Sequence, residues 1–419
     1  MKVITNLSAM MVILLTTASS CSAEENLSLP EVQSITDTQA VQALVLGNNE
    51  FALDLYKEIC DVQESDNIFF SPYSISSALG MTYAGARGQT AVEMAEVLCF
   101  TLPVEATNRA FHSLTETLSA GDLSGAEFGY PFTLSISNGL WVQDGFNLLD
   151  EYVTEVTRYY SAAVRNLDFA NDSEGSRETI NEWVSESTLD KIQNLIPPGI
   201  LSSDTRVVLT NAVYFKASWR NPFDERSTED APFVLADGSI IDVPMMNQTD
   251  FFRYVATEGC KAVELDYAEG NASMLIVLPD EDMEEFQQEF NADMLETIRR
   301  RLGPCRVSIS MPGFEFTRSI QLSQMLKTLG MESAFGGAAD FSGFTGNRDL
   351  FISEVLHKAF VKVDETGTEA AAATAVVMGI TAMPPEPVRM NIDRPFMFFI
   401  LDRESGSIVF MGRVMDPST

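Results

Sequence analysis

Apolar residues follow two different periods along this chain. They recur every three or four positions, as in helices buried on one face, in residues 41–59, 74–98 and 178–196. Short apolar runs typical of buried strands occupy residues 206–215, 273–278, 306–311 and 396–401. Because helices and strands do not alternate regularly, the pattern predicts an α+β protein rather than a doubly wound parallel sheet.

A segment rich in small and apolar residues runs from Glu365 to Pro387 and ends in prolines. If residues 368–378 were extended, Glu369 would lie on one face of the strand. The other face would carry only uncharged side chains, those of Thr368, Ala370, Ala372, Thr374, Val376 and Met378. Such a face can enter between two strands without burying a charge, so we expect an exposed loop that can become a β-strand. Because alanine favours helix, an exposed helical or irregular loop is the alternative.

Several short motifs follow one another between Asn67 and Pro417. They are Asn67-Ile-Phe-Phe-Ser71-Pro72-Tyr-Ser74-Ile, Gly85-Ala-Arg-Gly88-Gln-Thr, Asn181-Glu-Trp183-Val, residues 188–196, Leu209-Thr-Asn211-Ala-Val-Tyr-Phe, Asn221-Pro-Phe223, His357-Lys-Ala, Arg394-Pro395-Phe396 and Phe410-Met-Gly412-Arg-Val. In this order they resemble the serpin family over nearly the whole globular part of the chain. The resemblance implies the serpin fold, with three β-sheets, about eight or nine helices and an exposed reactive-centre loop at about residues 365–390.

The resemblance also implies roles for individual residues. The hinge of the loop would comprise Glu365, Gly367, Thr368, Ala370, Ala371, Ala372, Ala373 and Thr374. The shutter, where the main sheet must part, would comprise Ser71, Ser74, Asn211 and His357. The breach, at the end of that sheet where the loop enters, would comprise Trp219 and Glu365. Gly313 stands where many family members carry a lysine that pairs with the hinge glutamate, so Glu365 lacks its usual partner.

The resemblance implies cleavage of the loop by a target protease, followed by insertion of the hinge into the main sheet. In the family the cut lies at a fixed spacing after the hinge glutamate and shortly before a Pro-Pro-Glu motif. Applied to Glu365 and to the Pro-Pro-Glu that ends at Glu386, both spacings imply a cut between Thr381 and Ala382. Ile380 and Met378 are the alternatives. Residues 376–383 contain no Lys, Arg, Asp or Glu. The predicted targets are therefore elastase-like and subtilisin-like serine proteases, with papain-like cysteine proteases as a further class. A non-inhibitory serpin, or a surface-anchored binding lipoprotein with an ordinary loop, is the alternative function.

The N-terminus has the pattern of an export signal. An apolar run at residues 10–15 follows Lys2, and small residues then precede Cys21, as in the cleavage site of bacterial lipoproteins. We expect lipidation at Cys21 and export to the outer membrane or cell surface, with the lipid anchor as the only membrane contact. Plain secretion is the alternative. The predicted divisions are a signal peptide at 1–20, a tether at 21–38 and a serpin domain at 39–419.

The net charge of −33 excludes a nucleic-acid-binding protein, which would need a basic surface. The acidic stretch at residues 90–98 lies where we place the heparin-binding basic helix of many animal serpins, so we expect no heparin binding. The negative charge either keeps the protein soluble or steers cationic proteases towards it.

Catalytic chemistry is poorly represented in the sequence. It contains two histidines, His112 and His357, and no Gly-x-Ser-x-Gly motif, so we expect no catalytic residue, no metal site and no cofactor. Cys60, Cys99, Cys260 and Cys305 allow three disulfide pairings, and their apolar neighbours favour free thiols. We therefore expect a monomeric protein that is not an enzyme.

Replacement of Cys21 by alanine tests the predicted anchor. Cys21→Ala should move the protein from the membrane to the soluble fraction and abolish incorporation of labelled fatty acid, because two acyl chains are needed for stable anchoring. Cys305→Ala, a cysteine change far from the signal, should leave the label in place. An unmutated protein that never takes up the label would mean that the signal is simply secretory.

Overall fold

The computed structural model of the protein describes residues 36–63, 67–119, 132–268, 271–368 and 386–419. The chain from Thr36 to Thr419 packs as one unit. Its α-helices are α1 (Asp37–Val62), α2 (Pro72–Gly85), α3 (Gly88–Val97), α4 (Val104–Ser119), α5 (Asp150–Tyr160), α6 (Ser173–Ser187), α7 (Met283–Glu289), α8 (Ala292–Arg301), α9 (Ser323–Thr328) and α10 (Ser342–Thr345). None of these helices is both long enough and apolar enough to cross a lipid bilayer.

The strands in the described part of the chain are β1 (Ile68–Phe70), β2 (Phe132–Gln143), β3 (Ala163–Leu167), β4 (Val207–Ser218), β5 (Glu229–Val234), β6 (Ile240–Ala256), β7 (Cys260–Asp266), β8 (Ala272–Pro279), β9 (Gly303–Pro312), β10 (Phe314–Gln321), β11 (Ile352–Asp364), β12 (Gly367–Thr368), β13 (Val388–Asn391), β14 (Phe396–Asp402) and β15 (Ile408–Val414). The four strands predicted from apolar runs correspond to β4, β8, β9 and β14. The mixture of helices and strands confirms the α+β class.

The main sheet has six strands in the order β10-β11-β12-β4-β2-β3, and β11 also pairs directly with β4. The remaining strands form one network in the order β1-β15-β14-β8-β7-β6-β9-β13, with β5 on β6. The long strand β6 belongs to two parts of this network. Its residues 253–256 pair with β7, and its residues 240–245 pair with β5. Counting those two parts separately gives three sheets, as predicted.

The main sheet is buried on both faces. All but one of the β4 residues are buried, with no alternation along the strand. One face packs on the main core, where Phe69 stacks on Phe410 with ring centroids 5.2 Å apart. Helix α6 covers the other face through a smaller cluster that includes Trp141, Ile180 and Val184. A strand buried on both faces explains the continuous apolar run in the sequence.

Helix α1 begins at a capping box. The side chain of Thr36 accepts a hydrogen bond from the Gln39 backbone, and the Gln39 side chain accepts one from the Thr36 backbone. Leu44, Phe51 and Ile59 lie on the buried face at helical spacing. The helix predicted at residues 41–59 is therefore confirmed and is longer at both ends.

Two helix predictions need correction. The run at residues 74–98 contains two helices, because the chain turns at Arg87, whose N–H donates to Asp340 O (2.8 Å). The run at residues 178–196 is helical only up to Ser187. Beyond it the backbone is left-handed at Leu189 and Asp190 (φ 53° and 61°), and this ends the helix. No glycine or proline stands at these positions to indicate the helix end in the sequence.

Candidate functional site

Strands β11 and β4 are neighbours along only part of their length. They pair in parallel register from Ile352↔Val207 to Phe360↔Tyr214. Beyond that point β12 lies between them, pairing antiparallel with β11 (Val363↔Thr368) and with β4 (Thr368↔Ala217). The first hinge residues therefore already occupy a gap at one end of the main sheet.

Gly367 fits this gap because it has no side chain. Its φ of +154° is a conformation that other residues rarely adopt. A Cβ atom built on it would lie 2.2 Å from Ala217 O and 2.7 Å from Ser218 Cα, both backbone atoms of β4. A larger residue would therefore force the hinge away from β4.

The turn between β11 and β12 is held by Asp364. Its Oδ1 atom accepts hydrogen bonds from Thr366 N (2.9 Å), Thr366 Oγ1 (2.6 Å) and Gly367 N (3.3 Å). Such contacts from an aspartate to the residues two and three positions later fix a tight turn. The hinge is thus bent into a hairpin with β11.

Both predicted breach residues contact this turn. The Trp219 indole N–H donates to Asp364 O (3.0 Å), and the Trp219 backbone N–H donates to Thr366 O (2.9 Å). The carboxylate of Glu365 accepts a hydrogen bond from Thr228 Oγ1 (2.6 Å). Thr228 therefore supplies Glu365 with a hydrogen-bond partner, a contact 137 positions apart in the chain that no sequence motif indicates.

Thr368 is the last described hinge residue and is almost fully buried, with 1% of its surface exposed. Its Oγ1 atom lies 2.7 Å from Tyr267 Oη, which is also buried. Tyr267 was not among the predicted site residues, because it lies 101 positions away in the sequence and no motif includes it.

The four predicted shutter residues form one hydrogen-bonded cluster. His357 on β11 and Asn211 on β4 are paired across the strand boundary, with His357 Nδ1 2.6 Å from Asn211 Oδ1. Ser71 N–H donates to His357 Nε2 (3.2 Å), so the imidazole carries its proton on Nδ1. The Asn211 amide donates to Ser74 O (3.1 Å), and Ser71 accepts from Ser74 N–H (3.2 Å) as the cap of α2.

These contacts cross the boundary where β11 and β4 still touch. Parting the strands must break the bond between His357 and Asn211, and each group would then need a new partner. Burial lowers the pKa of His357 to about 3, so the imidazole is neutral at physiological pH.

The other predicted site residues lie outside the described residues. These are Cys21, the hinge residues Ala370, Ala371, Ala372, Ala373 and Thr374, and the reactive-bond residues Thr381 and Ala382 with the alternatives Ile380 and Met378. Cys60, Cys99, Cys260 and Cys305 are free thiols, the first and third buried and the other two half-buried. Burial raises the pKa of Cys60 and Cys260, which keeps both as neutral thiols.

The neutral state of His357 predicts how stability changes with acidity. Below about pH 6.5 the unfolded chain protonates this histidine, whereas the folded protein does not until about pH 3. Its contribution is therefore complete above pH 6.5 and is lost as the pH falls towards 3, by up to about 1.4 kcal/mol per pH unit.

Urea unfolding at pH 7.5 and pH 5 should therefore reveal a larger loss of stability in the wild type than in His357→Gln, which cannot titrate. His112 lies on α4 with 40% of its side chain exposed, so His112→Gln should behave like the wild type. An equal loss in all three proteins would contradict a neutral buried His357.

Comparisons with known proteins agree with this geometry. The family model described as Serpin (serine protease inhibitor) matches residues 46–417. An uncharacterized serpin-like protein of Thermococcus kodakarensis is 42% identical over 88% of this chain and 84% of its own. Leukocyte elastase inhibitor A of Rattus norvegicus is 37% identical over 90% of this chain and 100% of its own.

Solved structures have the same fold. Human thyroxine-binding globulin superposes with a TM-score of 0.81 and 32% identity over 91% of this chain and 100% of its own. A serpin of the insect Tenebrio molitor superposes with a TM-score of 0.78 and 31% identity over 90% and 98%. The predicted serpin fold is confirmed, and the chain belongs to the serpin family of serine protease inhibitors.

Proposed function

We propose that this protein inhibits serine proteases by being cleaved in its reactive-centre loop and inserting the hinge into the main sheet. The observation that carries the proposal is β12, which already lies between β11 and β4 at one end of the sheet. Further insertion would continue a strand that has started. An ordinary surface loop would not be expected to place two of its residues between these two strands.

The chemistry is that of a trapped acyl-enzyme. The serine Oγ of the protease attacks the carbonyl carbon of Thr381, the bond to Ala382 breaks, and the new amine of Ala382 takes up a proton and departs with the C-terminal segment. The protease remains esterified to Thr381. Cleavage frees the loop at Thr381. The residues after Thr368 can then extend β12, and they carry the attached protease along the sheet.

The drive for insertion comes from the sheet itself. In the intact protein, β11 and β4 share one parallel ladder over residues 352–360 and 207–214. Insertion replaces it with two antiparallel ladders, one on each side of the new strand, and antiparallel pairs are slightly more stable than parallel ones. Each added hydrogen bond contributes about 1 kcal/mol net, so a full strand can supply roughly 10 kcal/mol.

The shutter cluster would control when the strands part. His357 and Asn211 join β11 to β4 ahead of the growing strand. The imidazole is fully buried and its Nε2 atom already accepts a backbone N–H, so His357 is not placed to act as a general base on a substrate.

Target class and location are part of the same proposal. Uncharged residues 376–383 favour elastase-like and subtilisin-like serine proteases, and the leukocyte elastase inhibitors of rat and cattle are 37% and 38% identical to this chain. Papain-like cysteine proteases are a further class. We propose that the monomer is exported and held at the cell surface through lipidated Cys21.

Thr368→Arg tests insertion. The buried position cannot hold an unpaired guanidinium without a cost of several kcal/mol. We expect the variant to be cut at the same bond but to release active protease, whereas the wild type forms a complex that survives SDS. Val388→Arg, on exposed β13 after the loop, should still trap the protease.

A thermal measurement accompanies this experiment, because an inserted strand should make the loop-cleaved wild type melt well above the intact protein. Full covalent trapping by Thr368→Arg would rule out insertion. A wild type that is cleaved without trapping any protease would instead be a non-inhibitory serpin.

The cleavage site and target class are tested together. We expect elastase-like and subtilisin-like proteases to be trapped and trypsin to be spared, because a charged primary pocket finds no partner in residues 376–383. Mass spectrometry of the released peptide should find Ala382 at its N-terminus. A peptide that begins after Arg389, together with fast trapping of trypsin, would overturn this assignment.

A further inference from the structure

We propose that Tyr267 is a positioning residue that holds the hinge in the gap before any protease arrives, and so sets how often cleavage ends in trapping. This inference rests on the proposed function. Its basis is the contact between Tyr267 Oη and Thr368 Oγ1, 2.7 Å apart in a buried site.

The tyrosine ring is held in place by contacts other than the one to Thr368. It stacks on Trp219, with ring centroids 4.7 Å apart and planes 8° from parallel, and it meets Phe215 edge-on at 5.2 Å. Its backbone N–H donates to Ala272 O (3.2 Å). Trp219 in turn binds the hinge turn through Asp364 O. The hydroxyl of Tyr267 is therefore fixed within hydrogen-bonding distance of Thr368 Oγ1 in the docked hinge.

The contact between the two hydroxyls makes it unfavourable for the hinge to leave the gap. Both partners are buried, with 0% and 1% of their surfaces exposed. Burial also raises the pKa of Tyr267, so the group stays a neutral hydroxyl. If the hinge left the gap, Tyr267 Oη would lose its partner inside the protein, and a buried polar group without a partner is costly.

The contact acts on the step after acylation. The acyl-enzyme either hydrolyses, which releases active protease, or is trapped by insertion, which starts from the docked hinge. Acylation occurs at residues 381–382 and does not involve Tyr267. Loss of the contact should therefore change the partition between trapping and release, and leave the rate of acylation unchanged.

Three variants test this by a double-mutant cycle. Tyr267→Phe removes one hydroxyl and should raise the ratio of released to trapped protease about fivefold, which is the effect of one hydrogen bond of about 1 kcal/mol. Thr368→Val leaves Tyr267 Oη unpaired, just as Tyr267→Phe leaves Thr368 Oγ1 unpaired, and should raise the ratio by a similar factor. The double variant removes both hydroxyls and should recover part of that loss, because two apolar partners leave nothing unsatisfied.

Tyr152→Phe is the matched control. Tyr152 is also buried and donates to a backbone carbonyl, Met81 O (3.1 Å), but it does not contact the hinge. It should leave the partition ratio at the wild-type value. A similar rise in Tyr152→Phe, or strictly additive effects in the double variant, would mean that Tyr267 acts only through general stability.

Hydrogen exchange provides a measurement that needs no protease. Amides of residues 361–368 should exchange about fivefold faster in Tyr267→Phe than in the wild type, and at the wild-type rate in Tyr152→Phe. Unchanged exchange in Tyr267→Phe would overturn the inference even if the wild type traps proteases well. If the wild type traps none, the proposed function fails while exchange still reports whether Tyr267 holds the hinge.

Discussion

The boundary between β11 and β4 is the constraint on which the rest of this structure depends. The two strands are hydrogen-bonded in parallel over most of their length and separated by two residues at one end. A sheet buried on both faces cannot open without exposing apolar surface, so an opening that already exists at one end is where further separation costs least. Elsewhere the boundary is closed by the direct pairing of β11 with β4 and by the apolar clusters on the two faces of the sheet.

The polar groups of the shutter cluster, which crosses this boundary, are buried and have hydrogen-bond partners. His357 and Asn211 are both buried. Both ring nitrogens of His357 and the side-chain amide of Asn211 have hydrogen-bond partners, so the cluster favours one specific pairing of the two strands and leaves none of these groups unpaired. At the open end the same principle applies with different residues, since the Asp364 carboxylate accepts from the turn and the Thr228 hydroxyl donates to Glu365. Both sites use short-range hydrogen bonds inside an apolar sheet, where each bond lost is not replaced by water.

Much of this arrangement could be predicted from the sequence because it is local or follows known motifs. The strands at residues 206–215 and 396–401 are continuous apolar runs, and Thr368, which was placed on the small uncharged face, is itself buried in the structure. Other features could not be predicted. The break at Arg87 depends on a backbone bond to Asp340, and Tyr267 and Thr228 meet the hinge only through the fold. The periodicity of apolar residues indicates which face of an element is buried, but it does not indicate which residues from distant parts of the chain contact that face.

The two residues of β12 also protect the sheet from other molecules. A gap between two strands presents unpaired N–H and C=O groups, which form a template for any extended segment of a neighbouring copy. Gly367 and Thr368 fill the entrance to that template from within the same chain, at a position where backbone atoms leave no room for a side chain on Gly367. With these two residues in place, the edges of β11 and β4 at this end are paired within the chain and are not offered to an extended segment of a neighbouring copy.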